Sequence, residues 1–153
     1  MPCDFPKQCE RCKETTWLNP TPVVVVLVPI STGLLGIVRA THPVGELAFP
    51  GGYVDMGESF RAAGSRELRE ETSLTIPPEQ FDVVREQTSS HALHVIVFVR
   101  YRFGRYAESL DDLSEFIPNP EVRERVVLYG NEDLAFGSHT SALRDYFAGT
   151  LKL

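Results

Sequence analysis

Residues Gly52–Leu74 read GYVDMGESFRAAGSRELREETSL, and this stretch decides the interpretation of the chain. Ser59 is a good N-cap for a helix running to about Thr72. At about 100° per residue, Glu67, Glu70 and Glu71 are related by i, i+3 and i+4 and share one face of that helix. Like charges at these spacings each destabilise a helix by about 0.2–0.5 kcal/mol, so a counter-charge is expected. Arg66 and Arg69 adjoin the acids in sequence but point elsewhere on the helical wheel, which makes a bound divalent cation the natural neutraliser. Oxygen-only ligands favour hard ions such as magnesium, manganese or calcium. Ala63 and Gly64 lie one turn earlier, where small side chains would leave room for a ligand; Gly64 costs about 1 kcal/mol relative to Ala in a helix interior. The plainer alternative is a solvated acidic face, the usual meaning of a charge run.

The segment before the helix, Phe49-Pro50-Gly51-Gly52, weighs against that alternative. Adjacent glycines allow a main-chain carbonyl to turn toward a metal or phosphate. The combined spacing Gly-x5-Glu-x7-Arg-Glu-apolar-x-Glu-Glu-x-Ser-apolar closely resembles the signature of the Nudix hydrolase family. Gly52, Glu58, Arg66, Glu67, Leu68, Glu70, Glu71 and Leu74 match it, while Ser73 replaces the usual glycine. Serine at a helix exit either adopts the left-handed conformation at about 1 kcal/mol or ends the helix differently.

The resemblance implies a fold and an activity. The fold is α/β, a Nudix α/β/α sandwich with a mixed β-sheet between helices, occupying residues 19–153 after a Cys-containing tail or partial zinc knuckle over residues 1–18. The activity is magnesium-dependent (or manganese-dependent) hydrolysis of a nucleoside diphosphate linked to another moiety. The alternative is a catalytically silent Nudix-fold regulator that binds nucleotides. By the same resemblance Glu67, Glu70, Glu71 and the Gly52 carbonyl are metal ligands, and Arg66 orients Glu58. The general base is Glu124 in preference to Glu121, from a loop before the last strand, failing which a helix glutamate such as Glu70 activates the water. Tyr53 and Gly51 border the substrate. Relatives that cleave NADH carry a Ser-Gln-Pro-Trp-Pro-Phe-Pro-like stretch after the motif, and Asp82–Ala92 contains no proline or tryptophan. No residue selects one substrate.

Length and composition agree with this reading. The 153 residues suit one domain, 42% are hydrophobic, and the net charge of −6 argues against nucleic acid as the main partner. Acids can still serve an anionic substrate when metal ions bridge them to phosphate. No run of eighteen apolar residues marks a membrane span and the first eleven residues lack the features of a secretion signal, so the expected location is cytoplasmic, with a homodimer left open. Cys3, Cys9 and Cys12 crowd the first twelve residues, an arrangement unlike a disulfide framework. Cys9-x2-Cys12 has zinc-knuckle spacing but no second such pair follows, so a structural zinc would need Cys3 or a histidine.

Elsewhere the pattern predicts strands at Val23–Val28, buried on both faces, and at Leu34–Arg39 as its partner across a turn at Ser31-Thr32-Gly33. Further strands are expected at Phe81–Thr88, at His94–Phe103 with alternating Val95, Val97 and Val99, and at Val126–Tyr129. A last helix is expected over Thr140–Phe147, capped near Ser138 and closed by Gly149. His91 and His94, three apart on a strand, would face opposite ways, and His42 and His139 read as isolated loop residues. Phe49, Phe81 and Tyr101 read as core, with Tyr53 the aromatic best placed to stack a base.

Overall fold

A computed structural model describes residues 5–151. The described chain opens with a small hairpin, β1 (Lys7–Gln8) and β2 (Thr15–Thr16), that among the described residues pairs only with itself. The apolar run then forms β3 (Thr21–Leu27), followed by β4 (Pro29–Ile30), β5 (Gly33–Arg39), β6 (Leu47–Ala48) and β7 (Gly51–Tyr53). Helix α1 (Phe60–Thr72) follows, then β8 (Phe81–Thr88), β9 (His94–Tyr101), β10 (Val122–Leu128) and α2 (Gly137–Phe147).

Two sheets result. One has the order β7-β3-β9-β8 and is mixed, with β3 parallel to β9 and antiparallel to β7. The other runs β10-β5-β4, with β6 also on β5. The period-two geometry of a strand sorts β3 onto two cores. Val24 and Val26 face α1 with Val97, Val99, Ala63 and Leu68, while Val25 and Leu27 face α2 with Ile96, Phe98, Ala142 and Leu143. Both faces are covered, as the unbroken β-branched run anticipates, and the result is the expected α/β/α sandwich.

The strand pairing departs from the sequence reading in one respect. Leu34–Arg39 does not partner Val23–Val28 along its length, because the turn at Ser31 (φ 54°) pairs Pro29 and Ile30 with β5, with one further bond from the Leu35 N–H to the Val28 carbonyl at 2.8 Å. The hairpin closes on β4, just beyond the apolar run, and leaves β3 to β7 and β9. Strand β10 also begins earlier than expected, at Val122, with a bulge between Val122 and Glu124 against Arg39 and Val38 of β5. Helix α2 starts at Gly137 with Ser138 inside its first turn, and no side chain caps it.

Helix α1 begins and ends as the sequence suggests. The Ser59 hydroxyl accepts from the Ala62 N–H, and Ser73 takes the left-handed conformation (φ 62°) that a glycine would adopt freely. Ser73 gains partial compensation, since its Oγ accepts from the Ile117 N–H at 3.3 Å and its carbonyl accepts from the Ser114 hydroxyl at 2.9 Å. Gly64 has a different role from the one its position suggested. It lies against the sheet, where a Cβ would come within 2.9 Å of Val99 Cγ2 and 3.3 Å of Val26 Cγ2, so it sets helix-to-sheet distance and does not open space beside the acids. No helix among the described residues is long and apolar enough to cross a membrane.

A Gly64→Leu substitution should therefore destabilise the fold by about 1–3 kcal/mol or more through overpacking, measured by urea denaturation. A ligand-access role would instead spare stability and reduce activity alone.

Candidate active site

Helix α1 points Glu67 and Glu71 toward the strand that precedes it. Glu71 is 5% exposed and the Glu67 side chain 12% exposed, whereas Glu70 lies further round the helix at 52%. All three line one cleft of about 1160 Å³, together with Gly51, Gly52, Tyr53, Arg39, Glu121 and Phe136. The acids are thus gathered at a cavity and not spread over a solvated face.

The glycine pair explains how backbone reaches these carboxylates. Gly51 and Gly52 form an edge strand paired with Val25 and Val24, not the free loop suggested by the sequence. A Cβ on Gly51 would fall 2.2 Å from the Val24 carbonyl oxygen, and one on Gly52 would fall 2.5 Å from Glu67 Oε1. Any side chain at position 52 would fill the space that the Glu67 carboxylate occupies. On the other side, the Gly51 N–H donates to Glu71 Oε2 at 2.8 Å.

Arg66 organises the acids from outside. Its Nε and Nη2 each donate to Glu58 at 2.9 Å, a bidentate pairing, and Nη2 also donates to the Tyr53 carbonyl at 2.9 Å. Its Nη1 reaches Glu67 at 2.7 Å and Glu70 at 3.2 Å. The helical wheel turns Arg66 away from the acids, but its long side chain folds back to pair with Glu67 and Glu70. Glu58 is held below the usual carboxylate range by the Arg66 guanidinium, and Arg66 is correspondingly held above its own.

Glu71 receives no such cation. Burial pushes its carboxyl up to about 8, opposed by the Gly51 N–H, reinforced by the charges of Glu67 and Glu121, and eased slightly by Arg39. Glu67 is also raised, by burial first, with Arg66 acting against it. Among the described residues no three His, Cys, Asp or Glu side chains converge on one point, since Arg66 draws Glu67 and Glu70 while Gly51 draws Glu71. The donor chemistry nevertheless suits a hard divalent ion. Two desolvated carboxylates lie beside side-chain-free backbone, and Glu71 is hard to ionise without a cation at hand.

The remaining sequence candidates separate by position. Tyr53 is 58% exposed at the cleft wall, its ring 6.0 Å from that of His94, while Phe49 and Phe81 are core. Glu121 lines the cleft; Glu124 does not, because it belongs to β10 and not to the loop expected there, and it is exposed outside the cleft lining. Asn119, which the sequence did not single out, brings Glu121 close. Its Nδ2 donates to the Glu70 and Glu71 carbonyls at 3.2 Å, and its Oδ1 accepts from the Glu121 N–H at 3.0 Å. Cys9 and Cys12 lie exposed on the first hairpin, and Cys3 is outside the described residues.

His139 also departs from its sequence reading. It is a buried residue of α2 and not an isolated loop histidine, with the rings of Phe49, Phe98 and Phe136 around it. Burial, aided by Arg39, pushes its imidazole down to about 3. His91 and His94 both border the cleft, His91 from the turn between β8 and β9.

The NUDIX domain profile matches residues 19–135. A NUDIX hydrolase from Nitrosomonas europaea superposes with a TM-score of 0.66 at 21% identity, covering 92% of this chain and 77% of that one. The NUDIX domain of Shewanella oneidensis NrtR, solved with ADP ribose, gives 0.65 at 19% identity, covering 85% and 88%. A bifunctional NMN adenylyltransferase/ADP ribose pyrophosphatase from Francisella tularensis, solved with AMP and a manganese ion, gives 0.56 at 20% identity; 84% of this chain aligns with 38% of that longer protein. No curated protein matches in sequence. A mixed sheet between two helices, with this motif on the first of them, defines the class, and the profile match across most of the chain settles the membership. The chain belongs to the Nudix hydrolase family.

The depressed His139 imidazole gives a pH signature. The folded state resists a proton that the unfolded chain accepts near 6.5, so this contribution to stability is complete above that pH and is lost as pH falls toward about 3. Urea denaturation from pH 7 to pH 3 should show a steeper loss in the wild type than in His139→Leu.

Proposed function

We propose that the chain hydrolyses the diphosphate of a nucleoside diphosphate linked to another moiety, using magnesium or manganese. The observation that carries this reading is the pair of desolvated carboxylates, Glu67 and Glu71, set against the glycine backbone in a cleft of about 1160 Å³. Such a cleft is large enough for a dinucleotide or nucleotide-sugar substrate. The ADP ribose bound by the Shewanella domain and the AMP and manganese bound by the Francisella protein support the same ligand class.

Each residue then has a task. Glu67, Glu71 and Glu70 would hold the metal; Gly51, whose N–H already faces Glu71, would offer the main-chain carbonyl in place of Gly52, which pairs with Val24 of β3. When bound, the ion supplies phosphate charge neutralisation and a lowered water pKa. Arg66 fixes Glu67 and Glu70 from one side and locks Glu58 from the other, so the ligating oxygens keep their orientation when substrate arrives. Glu121 takes the proton from the attacking water, in place of Glu124, because the Asn119 bridge holds its loop against the C-terminal end of α1. Glu70 is the helix acid that could serve this purpose without it. Tyr53 and the Gly51–Gly52 edge form the wall against which the nucleotide lies.

A hydrolysis screen with magnesium or manganese over ADP ribose, NADH, FAD, dinucleoside polyphosphates and nucleotide sugars tests the proposal. Turnover should require the metal, and Glu71→Gln should reduce kcat/KM by about 100-fold or more, the equivalent of about 2.7 kcal/mol or more of transition-state stabilisation. Tight nucleotide binding with no metal-dependent turnover on any substrate would establish the silent regulator instead. Within an active enzyme, Glu121→Gln should lower kcat about 100-fold, on the scale of general-base catalysis, and far more than Glu124→Gln; the reverse order would return the role to Glu124.

A further inference from the structure

We infer that His139 is a positioning residue for the metal-binding edge, acting through the backbone of Phe49; this rests on the proposed metal-dependent function. The Phe49 N–H donates to His139 Nδ1 at 3.1 Å across 90 residues of sequence, and the contact is buried. Phe49 stands directly before Pro50, Gly51 and Gly52. The short segment is therefore held on both sides: α2 grips it at Phe49, and α1 grips it at Gly51 through Glu71 Oε2, 2.8 Å away. Between these two points the Pro50 carbonyl accepts from the Val26 N–H at 2.8 Å, which ties the segment to the central sheet.

Chemistry fixes the form of the histidine. An Nδ1 that accepts from an amide N–H must carry its lone pair there, so the ring is neutral and its proton resides on Nε2. Three aromatic rings, with centroids 5.0–6.3 Å away, keep the imidazole in place. Removing the acceptor leaves the buried Phe49 N–H unpartnered, and the segment must shift to satisfy it. That shift reaches Gly51, whose N–H holds Glu71 Oε2, and the adjoining Gly52, where an added Cβ would stand 2.5 Å from Glu67 Oε1. Groups that support a metal ligand from outside typically change metal affinity by about 10–100-fold when removed.

The test uses the full chain and manganese as the probe, with Kd measured by titration calorimetry or electron paramagnetic resonance. His139→Leu keeps an apolar, buried side chain without an acceptor; His139→Asn places an amide oxygen near the position of Nδ1. The expected result is a manganese Kd about tenfold weaker in His139→Leu and recovered to within about threefold in His139→Asn, with faster amide exchange at residues 49–52 only in the leucine variant. A folded His139→Leu with wild-type Kd and wild-type exchange overturns the inference, as does a folded His139→Asn as weak as the leucine variant. Nitrogen NMR of the wild type decides the case in which neither variant folds: a protonated Nε2 with Nδ1 bonded to the Phe49 amide upholds the inference, and an Nδ1–H tautomer or an imidazolium at neutral pH overturns it. If His139→Leu weakens manganese binding while the wild type hydrolyses nothing, the hydrolase reading fails and the positioning role stands.

Discussion

The contact on which the site depends is the hydrogen bond from the Gly51 N–H to the buried carboxylate of Glu71. It joins the edge strand β7 to the last turns of α1, and it does so where a carboxylate is costly to keep charged. An arrangement made for stability alone would place an apolar side chain there. Here the chain instead buries an acid, flanks it with Glu67, and removes every side chain from the facing backbone. The combination makes sense when a cation completes it.

Around that contact the fold supplies support in layers. Gly64 lets α1 sit close on Val26 and Val99, which brings Glu71 down to the level of β7. Arg66 gathers Glu58, Glu67 and Glu70 through one guanidinium, so these acids are oriented, while the deepest one, Glu71, has no arginine ion pair among the described residues. Asn119 reaches the carbonyls of Glu70 and Glu71 and carries Glu121 to the same cleft. Phe49 and His139 close the opposite side.

Much of this was legible in the sequence, and the part that was not has a physical reason. The helix limits followed from Ser59 and from the exit at Ser73, and the two-sided burial of β3 followed from its unbroken β-branched run. These are local signals. The pairing of β5 was not local: nothing in Leu34–Arg39 distinguishes a partner of β3 from a partner of β10, because the choice is made by where the Ser31 hairpin closes. The helical wheel misplaces Arg66 because it follows Cβ directions, and a long guanidinium stem folds back over the neighbouring turn. The expectation of a loop favours Glu124 over Glu121, whereas β10 begins at Val122 with a bulge before Glu124, which takes Glu124 into the strand and leaves Glu121 on the cleft. His139 carried no sequence signal beyond its isolation; only the packing of α2 against Phe49 gives it a partner.

The account rests on a hard cation between the acids of α1 and the backbone of β7, and the most direct measurement is anomalous diffraction from crystals soaked in manganese. It predicts one strong peak in the cleft within coordination distance of the carboxylates of Glu67, Glu70 and Glu71, beside Gly51. An absence of density there at saturating manganese, or a peak only at surface acids away from the cleft, would contradict it.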